Sequence, residues 1–176
     1  MFDDPVIIVG TTPDYVLKIH NKYPGSALFL MDGAYRDDAD LKALESAALV
    51  FSPHDQFGKT LQSLDGHLSV NGLSPGGVAC FDCESLVLAN RVARHKGLAF
   101  PPLEAILKAR NKMESRRAWR KAGILCPDAA VASNLKETLA FSRTIEGDLV
   151  LKPLSGSGSE LVFRCGNERE VEAAVG

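Results

Sequence analysis

The sequence contains no long apolar run. Its longest uninterrupted apolar segments are Ala27–Met31 and Ala47–Phe51, whereas a helix that crosses a bilayer needs about 20 apolar residues. The N-terminus, from Met1 to Pro5, is acidic and has no apolar stretch of the kind that a signal peptide contains. We therefore predict that the protein has no membrane partner and is cytoplasmic.

A strong charge imbalance is also missing. Twenty Lys and Arg residues stand against 22 Asp and Glu residues, which gives a net charge of -2, and aromatic residues make up only 7% of the chain. A basic surface with interleaved aromatic side chains is typical of nucleic-acid-binding proteins, so this composition predicts no nucleic-acid partner. Apolar residues make up 45% of the 176 positions, which excludes a mainly disordered chain.

Cysteine is scarce, and its spacing leaves two interpretations. Cys80 and Cys83 form a C-x-x-C pair, while Cys126 and Cys165 are isolated. Zinc would need a second pair of ligands, so we predict no metal site in this chain. A thioredoxin-like redox site stays open as an alternative, because a helical pattern follows Val78–Phe81. We favour reduced cysteines that serve as small apolar side chains.

Short apolar runs alternate with helical patterns in the first hundred residues. Strands are predicted at Val6–Val9, Ala27–Met31, Ala47–Phe51 and Val78–Phe81. Helices are predicted around Tyr15–Ile19, Leu41–Ala48 and Leu88–Ala93. This alternation is typical of a Rossmann-like α/β domain with a parallel sheet covered on both faces. The segment 55–77 has no clear pattern.

The charge changes sign along the chain and suggests a domain boundary. Residues 1–90 carry a net charge of about -7 and residues 91–176 about +5, counted from the side chains of the sequence. Together with Pro101 and Pro102, this change predicts one domain at 1–102 and a second at 103–176. The second domain should contain a helix from Leu103 to Ala122 and a helix capped by Ser133. A hairpin of Asp148–Lys152 with Ser159–Arg164 and a helix at Glu168–Val175 should follow.

Two familiar nucleotide motifs fail in this sequence. Gly58, Lys59 and Thr60 match the end of a Walker A loop, but Pro53 stands where its first glycine belongs. The first strand is followed by a single glycine, Gly10, where a dinucleotide-binding turn needs three. We interpret Asp32, at the end of the second strand, as a turn carboxylate.

A more informative segment follows the predicted strand that ends at Lys152. The loop Ser155–Ser159 alternates serine and glycine. Small residues let backbone N–H groups approach a polyphosphate closely, and Lys152 adds a positive charge. A hairpin turn with an exposed lysine explains the same residues. The segment by itself does not decide between the two.

The order of four short motifs resembles the ATP-grasp superfamily, which includes biotin carboxylase and the large subunit of carbamoyl phosphate synthetase. The motifs are Asn111-Lys112, Lys121–Pro127, Leu149–Pro153 and Ser155–Ser159. The likeness covers the stretch from about residue 84 to residue 165, and residues 1–100 fit the pre-ATP-grasp domain that precedes this core in the family. The resemblance implies an α/β Rossmann-like domain followed by the first part of an ATP-grasp α+β subdomain.

The resemblance also implies roles for particular residues. Lys112 would contact an ATP phosphate and Lys152 would reach the α- and β-phosphates. The Gly/Ser loop would fold over the β- and γ-phosphates; its residues are Ser155, Gly156, Ser157, Gly158 and Ser159. Asn111 departs from the family, in which an aspartate is usual. The ligands of Mg²⁺ are expected outside this chain.

We therefore expect the N-terminal part of a ligase that uses ATP to activate a carboxylate as an acyl phosphate, which an amine or another nucleophile then attacks. The carboxylate substrate and the catalytic residues stay unidentified, and this chain alone should have no ligase activity. The alternative is a non-catalytic nucleotide-binding or interaction module that a partner chain, or a second copy in a homodimer, completes. A hairpin without sheet neighbours would then expose an edge for that partner.

Overall fold

The computed structural model of the chain describes residues 4–44, 46–156 and 158–176. These residues form two compact units, Met1–Ile106 (unit 1) and Leu107–Gly176 (unit 2). The assignment of 1–102 and 103–176 as functional domains stays a prediction. No helix in the described part of the chain is long and apolar enough to cross a membrane.

Unit 1 is built on a four-stranded parallel sheet, which confirms the predicted fold class. Its strands are β1 (Val6–Val9), β2 (Ala27–Asp32), β3 (Leu49–Ser52) and β4 (Gly77–Ala79), in the order β3-β2-β1-β4. The helices of this unit are α1 (Pro13–Lys22), α2 (Phe57–Asn71) and α3 (Leu86–Lys96). The first three strands step in one direction across the sheet, and β4 returns to the other side of β1.

Alternating side chains of the central strands fill two separate cores. Ile7 and Leu30 belong to the core that α2 and α3 cover, whereas Ile8 and Phe29 belong to the core that contains Val16 of α1. Both faces of the sheet are therefore buried, as expected for parallel strands with continuous apolar sequences.

One expectation for unit 1 needs correction, and one unassigned segment contains a helix. The predicted helix around Leu41–Ala48 is wrong, because the chain forms separate 3₁₀ turns at Leu41–Ala43 and Ser46–Ala48. The Asp38 carboxylate accepts the N–H groups of Asp40 and Leu41, and such side-chain bonds compete with an α-helix. The unassigned segment 55–77 contains α2.

The rejected Walker A residues have a structural role. Gly58, Lys59 and Thr60 lie in the first turn of α2. The hydroxyl of Thr60 is buried and donates a hydrogen bond to the Pro53 carbonyl at 2.8 Å. This segment therefore begins a helix and does not form a phosphate loop.

Unit 2 consists of short helices around an antiparallel pair of strands. Helix α4 (Leu103–Arg110) contains the point at which the two units divide. The remaining elements are α5 (Lys112–Lys121), α6 (Leu135–Ser142), β5 (Leu149–Leu151), β6 (Phe163–Cys165) and α7 (Glu168–Val175). Strand β5 pairs with β6, and both pack with α7 around a small core of Leu149, Cys165 and Val171.

Three boundaries in this region differ from those predicted. The helix expected from Leu103 to Ala122 is interrupted at Asn111, whose backbone is extended. Helix α6 is capped by Asn134 and not by Ser133. The second strand of the hairpin begins only at Phe163, because residues 158–161 form a turn in which Ser159 and Leu161 have positive φ angles. The hairpin and the last helix are confirmed.

Gly10, at the end of β1, provides a test of packing in unit 1. Its φ angle is 64°, and a Cβ atom there would lie 1.8 Å from the Ser85 hydroxyl oxygen. Gly72 has nearly the same φ angle, 61°, but open space around it. We expect Gly72→Ala to lower the free energy of unfolding by about 1–2 kcal/mol through backbone strain alone. Gly10→Ala should cost about 1–3 kcal/mol more through overpacking.

Urea denaturation of the two variants, followed by circular dichroism, measures this difference. Because the backbone strain is matched, the difference isolates the contact with Ser85. Equal losses of stability in the two variants would contradict the close approach of Ser85 to Gly10 at the end of β1.

Candidate functional site

Lys112 connects α5 to the Gly/Ser loop. Its backbone N–H donates to the carbonyl of Leu154 at 2.9 Å, and its Nζ donates to the carbonyl of Gly156 at 3.2 Å. Lys112 and Gly156 are 44 positions apart in the sequence. The structure therefore brings together two of the segments that the sequence marks as candidates.

The position of Lys112 depends on the N-cap of its helix. The side-chain oxygen of Asn111 accepts the N–H groups of Met113 at 3.0 Å and Glu114 at 3.1 Å. These bonds and the bond from Lys112 to Leu154 engage the N–H groups of the first turn. The start of α5 therefore offers an anion mainly the Lys112 ammonium group and the positive end of the helix dipole.

The Gly/Ser loop is open to solvent. Ser155, Gly156, Gly158 and Ser159 are exposed, and Ser157 lies outside the described residues. Gly156 and Gly158 have φ angles of 116° and 69°, yet a Cβ atom on either would meet nothing within 4 Å. The glycines therefore serve the backbone conformation of an uncovered loop and not close packing within the protein.

Lys152 follows β5 directly, at the start of the segment that leads into the loop, and is exposed. Lys152, Ser155, Gly158 and Ser159 are near one another because they are close in the sequence. Lys112 is distant in the sequence and is joined to the loop by a side-chain hydrogen bond. Unit 2 carries a net charge of about +3 from its side chains. Lysine side chains, serine hydroxyls and glycine-rich backbone are donors of the kind that suits an anionic ligand such as a polyphosphate.

The C-x-x-C pair lies in the loop between β4 and α3. Burial raises the pKa of the Cys80 thiol to about 11, and its Sγ donates to the carbonyl of Asp82 at 3.2 Å. Cys83 is exposed, and both cysteines are free. A nucleophilic or redox-active cysteine needs a lowered pKa, so the state of Cys80 weighs against the redox alternative.

The sequence contains one local signal for the starts of the helices in unit 2. The three helices α5, α6 and α7 each begin with Asn-x-x-Glu, with the asparagines at 111, 134 and 167. Each asparagine side chain accepts N–H groups of the first turn of its helix. Reading this capping pattern would have placed the break between α4 and α5 correctly. The Leu154 and Gly156 carbonyls that hold Lys112 leave no signal of this kind.

Comparison of the sequence with models of protein families and with characterised proteins finds no match. Comparison of the structure does find similar proteins. An L-amino acid ligase from Bacillus licheniformis has a TM-score of 0.71 and 17% identity, over 98% of this chain and 41% of the ligase. An N5-carboxyaminoimidazole ribonucleotide synthetase, solved as an ADP complex, has a TM-score of 0.70 and 11% identity, over 98% of this chain and 43% of the enzyme.

A biotin carboxylase from Campylobacter jejuni has a TM-score of 0.66 and 14% identity, over 96% of this chain and 40% of the carboxylase. All three are ATP-grasp enzymes. The chain has the fold of the N-terminal portion of ATP-grasp enzymes, which confirms the resemblance seen in its motifs. It spans about two fifths of the length of these structures.

The cap of α5 is tested by a matched pair of substitutions. Asn111→Ala removes the acceptor for the Met113 and Glu114 N–H groups and should lower the free energy of unfolding by about 1 kcal/mol. Asn111→Asp keeps an oxygen acceptor and should preserve most of that stability. Amide hydrogen exchange at Met113 and Glu114 should accelerate only in the alanine variant. Equally fast exchange in both variants would show that residue 111 does not cap α5.

The cysteine assignment is tested by alkylation at neutral pH. Because the raised pKa of Cys80 keeps it protonated, we expect iodoacetamide to modify Cys83 at least about tenfold faster than Cys80. Peptide mapping by mass spectrometry resolves the two positions, and a Cys83→Ser variant shows the rate of Cys80 alone. Faster modification of Cys80 would restore the redox interpretation.

Proposed function

We propose that this chain is the ATP-phosphate-binding N-terminal part of a ligase that joins a carboxylate to an amine or a related nucleophile. The observation that carries the proposal is the hydrogen bond from Lys112 Nζ to the carbonyl of Gly156, because it places a lysine against the Gly/Ser loop. The fold shared with ATP-grasp enzymes supports it. Among these enzymes are an L-amino acid ligase and a synthetase solved with ADP.

The proposed reaction has two steps. A carboxylate oxygen of the substrate bonds to the γ-phosphorus of ATP, and the bond to the β-phosphate oxygen breaks, so ADP leaves and an acyl phosphate forms. The nucleophile then bonds to the acyl carbon, and inorganic phosphate leaves with the electron pair of the broken C–O bond. A neutral amine loses one proton in this step.

The contribution of the described residues to this reaction is binding and charge stabilisation. Lys112 and Lys152 would hold phosphate oxygens by charge-assisted hydrogen bonds. The backbone N–H groups and hydroxyls of the Gly/Ser loop would close over the outer phosphates. Positive charge placed in this way stabilises the charge that spreads over the transferred phosphoryl group.

ATP fits the donors of this site, whereas the protein ligands of Mg²⁺ are expected elsewhere. The described residues contain no group of three or more His, Cys, Asp or Glu side chains that could hold a metal ion. In the proposal Mg²⁺ accompanies the nucleotide, where it neutralises phosphate charge.

The alternative of a non-catalytic module completed by a partner chain is not favoured, since the three similar structures are all enzymes. The second substrate is a carboxylate of unassigned structure. A cytoplasmic location remains an expectation from the sequence.

Substitution of the two lysines tests the proposal. Lys112→Met and Lys152→Met each remove a charge from the phosphate site, so each should weaken ATP binding by about tenfold or more. Lys136→Met is the matched control, because Lys136 is an exposed lysine of α6 in the same unit. The fluorescence of Trp119 provides the readout. It is the chain's single tryptophan, 48% exposed, and two turns along α5 from Lys112.

Adenosine serves as the second control, since it lacks phosphates. Its binding should be weak and equal in all four proteins. Unchanged ATP affinity in both lysine variants, or an equal loss in Lys136→Met, would contradict the proposed role of Lys112 and Lys152.

A further inference from the structure

The ends of the four strands in unit 1, with the loops that follow them, form a second polar region, which we name the carboxyl edge. The strand order reverses at β1, because β2 and β3 lie on one side of it and β4 on the other. In open parallel sheets, ligands bind outside the carboxyl ends of the strands at such a reversal. The side chains at this edge therefore lie where this class of fold binds its ligands.

Two carboxylates come from different strands of the edge. Asp32, at the end of β2, accepts the N–H of Ala34 at 2.9 Å and the N–H of His54 at 3.4 Å. Asp82, in the loop after β4, accepts the N–H of Ser85 at 2.6 Å. A Cβ atom built on Gly10 would lie 2.4 Å from Asp82 Oδ2, so this carboxylate lies against the end of β1.

Two buried polar atoms at the same edge have no hydrogen-bond partner among the described residues. They are the Ser52 hydroxyl oxygen and His54 Nε2, and Ser52 is only 1% exposed. Ser52 pairs in register with Asp32, so the unpartnered groups adjoin that carboxylate. An unsatisfied buried polar group costs about 1–3 kcal/mol, and such groups in folded proteins usually have a reason such as a bound molecule.

The charge of the edge indicates which molecule this is. Burial lowers the pKa of His54 and so favours its neutral form, although Asp32, Asp82 and the backbone of Met31 and Leu30 oppose that effect. Two carboxylates and a neutral ring attract a cation that donates hydrogen bonds. The nearby Arg36 is engaged elsewhere, since it donates to the Phe51 carbonyl at 3.3 Å and lies over the Phe51 ring.

We consider an organic cation and not a metal ion, because no three His, Cys, Asp or Glu side chains of the described residues, Asp32, His54 and Asp82 included, are placed to hold a metal ion. We propose that the carboxyl edge binds the ammonium group of a small amine at Asp32 and Asp82, beside His54. The binding follows from the edge itself. That this amine is the nucleophilic substrate rests on the proposed ligase function, in which the ammonium group would first lose one proton to water and then attack as the neutral amine.

Nuclear magnetic resonance of the His54 imidazole in the full chain tests the binding, with a His54→Gln variant to assign its signals. Ethylammonium chloride is the probe. Tetramethylammonium chloride is a cation without N–H donors, and sodium acetate is an anion. We expect a saturable shift of the His54 signals with ethylammonium and none with the other two salts.

Asp82→Asn tests the residue assignment, because the amide oxygen can still accept the Ser85 N–H while the negative charge is lost. It should weaken ethylammonium binding by about tenfold. Asp37→Asn is the matched control, since Asp37 is exposed and pairs with Lys42 at 3.2 Å. This control should leave the affinity unchanged.

The inference is overturned by any of three results: no saturable shift with ethylammonium, an equal response to tetramethylammonium or acetate, or unchanged affinity in Asp82→Asn. ATP binding to the same samples is measured by the fluorescence of Trp119. Failure of the amine experiment with intact ATP binding overturns this inference alone. If the amine binds but ATP does not, the amine site is supported and its role in a ligase reaction is not.

Discussion

The hydrogen bonds from the first turn of α5 to Asn111 are the constraint on which the candidate nucleotide site depends. They end α4, begin α5 and direct the Lys112 side chain toward the Gly/Ser loop. Without this cap, a continuous helix through residue 111 would remove the break at which the Lys112 backbone N–H meets the Leu154 carbonyl. Asparagine performs this role as well as the aspartate expected from the family, because either side chain offers the required oxygen acceptor.

The two units contribute opposite electrostatics. Unit 2 presents lysines, hydroxyls and a glycine-rich backbone, which suit a phosphate chain. The carboxyl edge of unit 1 presents carboxylates, together with two polar atoms that have no partner among the described residues, and these suit a cation. In our proposals, the donors of unit 2 bind the phosphates of ATP and the carboxyl edge of unit 1 binds an amine. The change of charge along the sequence is therefore consistent both with a boundary between two units and with two ligands of opposite charge.

The sequence predicted the elements whose apolar patterns were strong. The buried run Ala27–Met31 lies within β2, and the alternation around Val150 and Arg164 corresponds to an antiparallel pair. Errors arose where the side chains of Asp or Asn accept backbone N–H groups and so interrupt a helix that the apolar pattern predicts. Asp38 replaced a predicted helix by 3₁₀ turns, and Asn111 divided another.

The candidate sites were predictable only in part. The motifs around Lys112 and Lys152 could be recognised, but the bond from Lys112 to Gly156 joins residues whose distance in space no local pattern encodes. The carboxyl edge was even harder to predict from the sequence. Asp32 was interpreted as a turn carboxylate, which it is. The closeness of Asp82 to β1, and the lack of a partner for Ser52 Oγ and His54 Nε2 among the described residues, depend on the packing of several loops.

The central claim is that Lys112 and Lys152 face the phosphates of ATP. An adenosine polyphosphate that carries a pyridoxal aldehyde at its phosphate end forms an imine with a neighbouring lysine, and borohydride then fixes the adduct for peptide mapping. The account predicts that Lys112 or Lys152 carries the label and that excess ATP prevents labelling. Labelling concentrated on lysines of unit 1, such as Lys59, with the same protection by ATP, would contradict it.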